Sequence, residues 1–313
     1  MAHQMTALSE LNRTRLTLFL SRVPGLGPKA LASVLPECCP EGRSLSSDEL
    51  LPVLKKRRLP KRHIEFISAN LSAMLSETEE LDSRLSEIGI GIITLWDAEY
   101  PLGLKLYDDE PPPVLYAYGA DDLLHEKKFA VINSNSPSAR ALELTTRISE
   151  MLIGEGLVPV TGHNRHPYQL VALTAKRLNS PALIVLDRGI VSAFKGRLEW
   201  ELFAGARIWS PEFDPSQDLV ISQFRLGDGW IGDSSRRRDH TVFGLADVIV
   251  AVDVRPGGVM EKECLHALKM GREVYVCEDG QEGNAKLIEA GCARLIPGEA
   301  GSQISAAVSE GDN

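Results

Sequence analysis

Three consecutive arginines, Arg236, Arg237 and Arg238, lead into a helical pattern, the apolar run Val248–Val252 follows, and Gly257-Gly258 open another helix. A guanidinium is a planar fork of N–H donors that matches phosphate and carboxylate oxygens. A strand, a glycine turn and a helix start add unpaired backbone N–H groups and the positive end of a helix dipole at one spot. The stretch Asp233–Ala267 is therefore expected to cradle an anion, and a phosphate suits it best.

Other polar residues cluster where apolar runs end. The run Phe129–Asn133 is followed by Ser134-Asn135-Ser136-Pro137, small polar groups that serve either as a helix N-cap or as phosphate donors, Ser134 first among them. The run Leu157–Thr161 is followed by Gly162-His163-Asn164-Arg165-His166, where Arg165 suits a phosphate. Thr161, His163 and Asn164, with Glu263, make an alternative set for a small nucleotide. No carboxylate or third ligand accompanies His163 and His166, so no metal is assigned. The sequence has no G-x-G-x-x-G after its first strand, no G-x-x-x-x-G-K-[ST] and no G-x-S-x-G. Nicotinamide dinucleotides, phosphate-loop ATPases and serine hydrolases of those types are set aside, and neither a cofactor nor a catalytic residue is assigned.

The elements that must position these residues can be read from periodicity. From Phe129, apolar runs of about five residues alternate with amphipathic helices, which predicts a parallel sheet covered on both faces, a doubly wound α/β domain. Helices are expected at Ser138–Glu155, Gln169–Leu178, Arg197–Phe203, Arg237–Leu245, Val259–Met270 and Asn284–Ala290. Strands are expected at Phe129–Asn133, Leu157–Thr161, Ala182–Asp187, Leu219–Ser222, Val248–Val252, Glu273–Cys277 and Ala293–Ile296. Ligands of such domains sit beyond the carboxyl ends of the strands. The residues after Pro297, rich in Gly, Ser and Glu, read as a frayed tail, so the domains are expected at 1–86, 87–297 and a tail 298–313. Between Gly89 and Gly119, two short strands flank proline-rich turns.

The front of the chain is helical and basic. An apolar-periodic helix carrying Leu11, Leu16, Leu18, Phe19 and Leu20 is followed by Val23-Pro24-Gly25-Leu26-Gly27-Pro28-Lys29 and a second helix. This run resembles the hairpin of helix-hairpin-helix modules, which bind the nucleic-acid backbone without reading its sequence. Gly25 and Gly27 let the chain approach a phosphate and Lys29 adds charge, although a turn that only packs would look the same. Lys55–Arg62 places six cations in eight residues, either a solvated helix end or a second backbone-contacting patch.

The 313 residues are ordinary for a globular protein, with 43% hydrophobic and 25% charged residues. No apolar run approaches the roughly 18 residues of a membrane span, and Met1–Glu10 lacks signal-peptide organisation, so no membrane partner and a cytoplasmic location are expected. Five cysteines without C-x-x-C spacing read as reduced thiols. The net charge of −9 hides an asymmetry, because residues 1–75 carry +5 and the remainder −14.

From Gly89 to Pro297, about two thirds of the chain, the sequence resembles the DNA-processing protein A (DprA/Smf) family. W-D-A-E-Y-P-L-G-L and P-P-P-V-L-Y-A-Y-G are close to the family's D-x-x-Y-P-x-x-L and P-P-x-L-Y-x-x-G. V-I-N-S-N stands where the family has V-G-S-R, V-T-G-H-N-R-H for V-S-G-x-A-R-G, and I-S-Q-F-R for S-E-Y-P. The run from Arg236 parallels F-P-x-R-N-R-I-I-A-G-L, and A-L-K-M-G-R-E-V-Y-V and N-A-K-L-I-E-A-G-C match the last two motifs. The family's glycine and arginine in G-S-R are replaced by Asn133 and Asn135, and its asparagine and second arginine in R-N-R by Asp239 and His240. Pro256-Gly257-Gly258 also resembles the P-G-G-x-G-T-x-x-E motif of Lonely-Guy-type nucleotide phosphoribohydrolases, but Cys264 takes the place of the catalytic glutamate.

The resemblance implies a Rossmann-like domain behind a helix-hairpin-helix-like module, and a diverged single-stranded-DNA-binding protein more than an enzyme. A homodimer and a recombinase or effector protein are the partners it implies. The phosphate contacts it suggests are Ser134, Gly162, Arg165, Arg236, Arg237, Arg238, Gly257 and Gly258, with Gly25, Gly27 and Lys29 in front.

Overall fold

The computed structural model describes residues 10–39, 43–57, 59–278 and 282–310. It divides into two compact units, one formed by the chain up to Tyr100 with Glu110–Tyr116, the other by Pro101–Asp109 and the chain from Ala117 onward. The division differs from the expected boundary at residue 87, because the first run-in strand and part of the second belong with the helices.

In the first unit, α1 (Arg13–Ser21) is capped by Asn12, whose side chain accepts from Arg15 N at 2.9 Å. α2 (Pro28–Cys38) and α3 (Ser47–Lys56) follow, and α3 opens with a capping box between Ser46 and Glu49. α4 (Lys61–Glu87) closes the bundle. Leu16, Phe19, Leu20, Leu31, Leu35, Leu50, Leu54 and Ile67 form its core. Gly25 turns the chain between α1 and α2 with φ +71°, a conformation L side chains rarely adopt. β1 (Gly91–Thr94) and the start of β2 (Val114–Gly119) complete this unit, while α5 (Leu102–Tyr107), between them in the chain, belongs to the second.

The second unit alternates as its sequence demands. β3 (Lys128–Asn133), α6 (Ala139–Gly154), β4 (Val158–Gly162), α7 (His166–Arg177) and β5 (Leu183–Val185) come first. α8 (Ile190–Ala193), β6 (Leu219–Ser222), α9 (Ser234–Leu245), β7 (Val248–Asp253), α10 (Val259–Lys269) and β8 (Glu273–Cys277) follow. α11 (Glu282–Glu289), β9 (Ala293–Leu295) and α12 (Ala300–Glu310) complete it. From β6 the strand order is β6-β5-β4-β3-β7-β8-β9, and every pair among them is parallel. Strands run outward from β3 in one direction through β4 and in the other through β7, so the order reverses beside β3. A crevice therefore opens where the loops after β3 and β7 leave the sheet on opposite faces. β3 and β7 are in register from Phe129 opposite Val248 to Ile132 opposite Ala251, then slip so that Asn133 meets Asp253. Their side chains are buried throughout, which is why these segments read as unbroken apolar runs.

Two expectations fail. Arg197–Phe203 is not helical: the helix after β5 is α8, and the chain beyond it is irregular. The reason is Lys176 at the end of α7, which draws buried Glu201 into an ion pair at 2.8 Å, while Glu201 accepts from Phe203 N at 2.9 Å. That local bond to a residue two positions on competes with helical pairing. The residues after Pro297 are not a frayed tail through Glu310, because α12 buries Ala300 and Ile304 in the core beside α6. Residues 311–313 of the expected tail lie outside the described residues. Replacing Ile304 with Ala is expected to cost about 2–4 kcal/mol in urea denaturation, the range for truncating a buried isoleucine, whereas a frayed end would give no measurable change.

Candidate nucleic-acid interface

The crevice at the switch point is built by two latched loops. Ser134 N donates to Asp253 O at 2.8 Å, and Ser134 Oγ accepts from Arg255 N at 2.8 Å. Arg255 also donates from its guanidinium to Asn135 O at 3.1 Å. Ser138 caps α6, accepting from Ala141 N at 3.1 Å, and its own N–H donates to Asp253 Oδ2 at 3.1 Å. The α6 cap, Ser138, and the serine that lines the crevice, Ser134, are thus different residues. Ser134, Asn135, Arg165, Arg236, Asp239, Arg255, Gly257 and Gly258 are among the residues that enclose a cavity of about 410 Å³.

The glycine turn departs from the expected open cradle. Gly257 has φ +69°, and its N–H donates to the carboxylate of Glu261 in the first turn of α10. An acidic group at a helix N-terminus is favoured by the dipole, so the chain supplies part of its own anion.

The three arginines of α9 go three ways, since successive helical residues are about 100° apart. Arg236 is exposed and lines the cavity, with Asp233 at 3.9 Å. Arg237 donates to Gln223 Oε1 at 3.1 and 2.7 Å and lies 4.7 Å over the Phe224 ring, outside the cavity lining. Arg238 is fully buried. It donates to Asp239 Oδ1 at 2.7 Å and to Asn164 Oδ1 at 2.6 Å, and lies 4.7 Å over the Tyr168 ring. Tyr168 donates to the same Asp239 oxygen at 2.9 Å. The expected phosphate contacts of Arg237 and Arg238 are therefore corrected: Arg238 is engaged in the interior, and Arg237, though exposed, pairs with Gln223 away from the cavity. Gly162 is corrected with them, because its missing side chain makes room for Arg238. A Cβ there would stand 2.5 Å from Arg238 Nη1 and 2.9 Å from Tyr168 Cδ2. Arg165 does reach the cavity, 3.9 Å from Asp239 Oδ2.

The alternative nucleotide set is not assembled. Thr161 is buried and donates to Tyr168 O at 2.9 Å. Asn164 is held between Arg238 and Asp187. His163 lies 3.9 Å from Asp187, and burial drives its pKa down to about 4 despite that carboxylate. Glu263 sits on α10 with other partners. It accepts from Tyr107 Oη at 3.2 Å and pairs with His240 Nδ1 at 3.0 Å, while Asp108 lies 3.4 Å from His240 Nε2. Burial opposes a charge on His240, but hydrogen bonds to Asp108 and Glu263 and their charges outweigh it and raise its pKa to about 9.

In the helical unit, Gly27 forms the N-cap of α2, and a side chain at Gly25 would face His63 and Arg62, at 3.8 and 4.0 Å. The hairpin and the start of α4 thus meet, a convergence the sequence did not show. Lys29 extends into solvent and pairs with Glu110 at 2.9 Å. Arg58 of the basic run lies outside the described residues.

Arg255 and Asp253 were missed by the sequence reading. Both stand at the carboxyl end of β7, where polar residues follow an apolar run as they do after Asn133 and Thr161, and Arg255 lines the crevice.

A doubly wound sheet with guanidinium groups and a glycine turn facing its switch-point crevice defines a Rossmann-like protein. Residues 91–308 match the profile of DNA recombination-mediator protein A, and the chain belongs to that family. The fold is similar to the X-ray structure of DNA processing protein A from Streptococcus pneumoniae, with 18% identity, a TM-score of 0.69, and 93% of this chain and 96% of that one covered. It is also similar to DNA processing protein A from Helicobacter pylori, described for its single-stranded DNA binding mode, with 18% identity, a TM-score of 0.55, and 70% and 96% coverage. A comparison with curated protein sequences gave no match. Among the described residues, no helix is long and apolar enough to cross a membrane.

The raised pKa of His240 carries a sign. With a folded pKa of about 9 against an ordinary 6.5, the stabilisation is complete below pH 6.5 and lost as pH rises through 9. Urea denaturation is expected to show wild-type stability falling across that interval relative to His240→Gln. Parallel pH profiles would show that the charged pair contributes nothing.

Proposed function

We propose that this protein binds single-stranded DNA in the switch-point crevice and acts in DNA processing, recombination or uptake as a binding factor, passing the strand to a recombinase or effector. The observation that carries the reading is the convergence of Arg165, Arg236 and Arg255 on one cavity beside the Gly257-Gly258 turn. Asp239 also lines it, but its carboxylate is already engaged by Arg238 and Tyr168. Its repulsion of a phosphate is correspondingly reduced. The Helicobacter pylori relative, described for a single-stranded DNA binding mode, supports the same ligand class. Gly25, Gly27 and Arg62 in the helical unit supply a backbone contact of their own, independent of base sequence. The setting we infer is the cytoplasm.

Each phosphate neutralised on a single strand contributes about −0.7 to the slope of log affinity against log salt. Replacing Arg165, Arg236 and Arg255 together with Ala is expected to flatten the slope for oligothymidylate by about two units. The reading fails if the slope is unchanged, or if the wild type retains no oligomer at about 50 mM salt. A thermal shift with mononucleotides but none with the oligomer would favour the small-nucleotide alternative instead.

The homodimer belongs to the same proposal. α5 and α10 lie together through Tyr107, which touches Glu263 and His266, and they expose Leu102, Leu106 and Leu265, with Met270 just beyond. A neighbouring set of exposed large aliphatic side chains of this kind marks an association surface. Light scattering is expected to give twice the 34.3 kDa chain mass for the wild type and the chain mass for Leu106→Glu with Leu265→Glu. A monomeric wild type at high concentration would contradict it.

A further inference from the structure

The loop between β6 and α9 carries a tryptophan that the fold does not use. Trp230 is 51% exposed, and Ile231 beside it 60%. An indole left in water forgoes the large burial energy that usually keeps this side chain inside a protein. Yet Trp230 is not loose. Its ring N–H donates to Ser235 Oγ at 3.0 Å, and Ser235 lines the crevice together with Gly232 and Arg236. One edge of the ring is thereby pinned to the cavity rim, and among the described residues no aromatic ring or cation is stacked on its faces. The surroundings are cleared as well: a Cβ added at Gly227, Gly229 or Gly232 would meet nothing within 4 Å. These glycines are not demanded by close packing.

We propose that Trp230 is a nucleobase-stacking subsite, taking one unstacked base of a strand whose phosphate lies in the crevice. The proposal rests on the crevice being a phosphate site and adds the part of the ligand that the arginines cannot read. A flat aromatic face accepts any base, so the contact adds affinity without sequence preference. It also discriminates by structure, because the bases of a duplex are stacked on one another and present no free face. The same Ser235 Oγ that holds the indole lies 3.4 Å from the buried carboxylate of Asp187, which ties the platform to the β5 end of the sheet.

The test compares oligothymidylate with an abasic oligomer carrying the same number of phosphates, on wild type, Trp230→Ala and Trp230→Phe, with thermal midpoints confirming that each variant folds. Wild type is expected to prefer the oligothymidylate. Trp230→Ala is expected to lose about 5- to 100-fold on oligothymidylate and nothing on the abasic chain, with its salt slope intact. Trp230→Phe, which keeps a ring and lacks the N–H, is expected to retain most of the affinity. An equal loss on both oligomers, or no loss on oligothymidylate, overturns the stacking subsite and leaves the phosphate site standing. Failure of the wild type to bind either oligomer overturns both.

Discussion

The buried guanidinium of Arg238 is the constraint on which the site depends. A charge taken fully out of water is tolerated only when its donors find partners, and removing one partner of such a set costs about 3–5 kcal/mol. Arg238 meets most of that demand: Nε donates to Asp239, Nη1 donates to Asn164 and the plane lies over Tyr168, while Nη2 is buried without a hydrogen-bond partner among the described residues. Those three come from α9, the loop after β4 and the first turn of α7, so one side chain fixes three elements relative to one another. Gly162 is part of the arrangement because any side chain there would occupy the guanidinium's place.

The network also divides the labour among charges. Asp239, which stands where the resemblance led us to expect an asparagine, looks at first like a charge that would repel a phosphate. Its pairing with Arg238 makes it a structural anion instead. The cations that line the crevice, half-buried Arg165 and exposed Arg236 and Arg255, come from three different loops or helix starts, and each is placed by a different local device. Arg255 is held by Ser134 and Asn135, Arg236 follows the helix that Arg238 anchors, and Arg165 stands at the N-cap of α7. A chain with a net charge of −9 can still offer a concentrated cationic site, since the field a phosphate meets is set within roughly a Debye length of 10 Å.

The sheet was legible in the sequence because its strands are buried on both faces and appear as short apolar runs. Leu219–Ser222 and Glu273–Cys277 were placed to the residue. Helix α9 was legible as a helix, but not the fate of its arginines: three identical side chains 100° apart differ only in what the fold puts opposite them. Arg197–Phe203 does not form the helix its pattern suggests because Lys176, elsewhere in the chain, claims the buried Glu201, a long-range demand that periodicity cannot show. α12 was misread because its Gly- and Ser-rich composition resembles a tail, while only Ala300 and Ile304 need to face inward to dock it. The glycine turn was recognised correctly as a turn. That Glu261 would occupy part of its donor set follows from a carboxylate in the first helical turn, a local signal that could have been read.

The central claim is that the phosphates of a single strand lie in the crevice between the loops after β3 and β7. A crystal structure of the protein with a short oligothymidylate tests it most directly. The account requires a phosphate within hydrogen-bonding reach of Arg165, Arg236 and Arg255, with Arg238 unmoved in its buried network. A strand seated elsewhere on the protein while that crevice stays empty would contradict it.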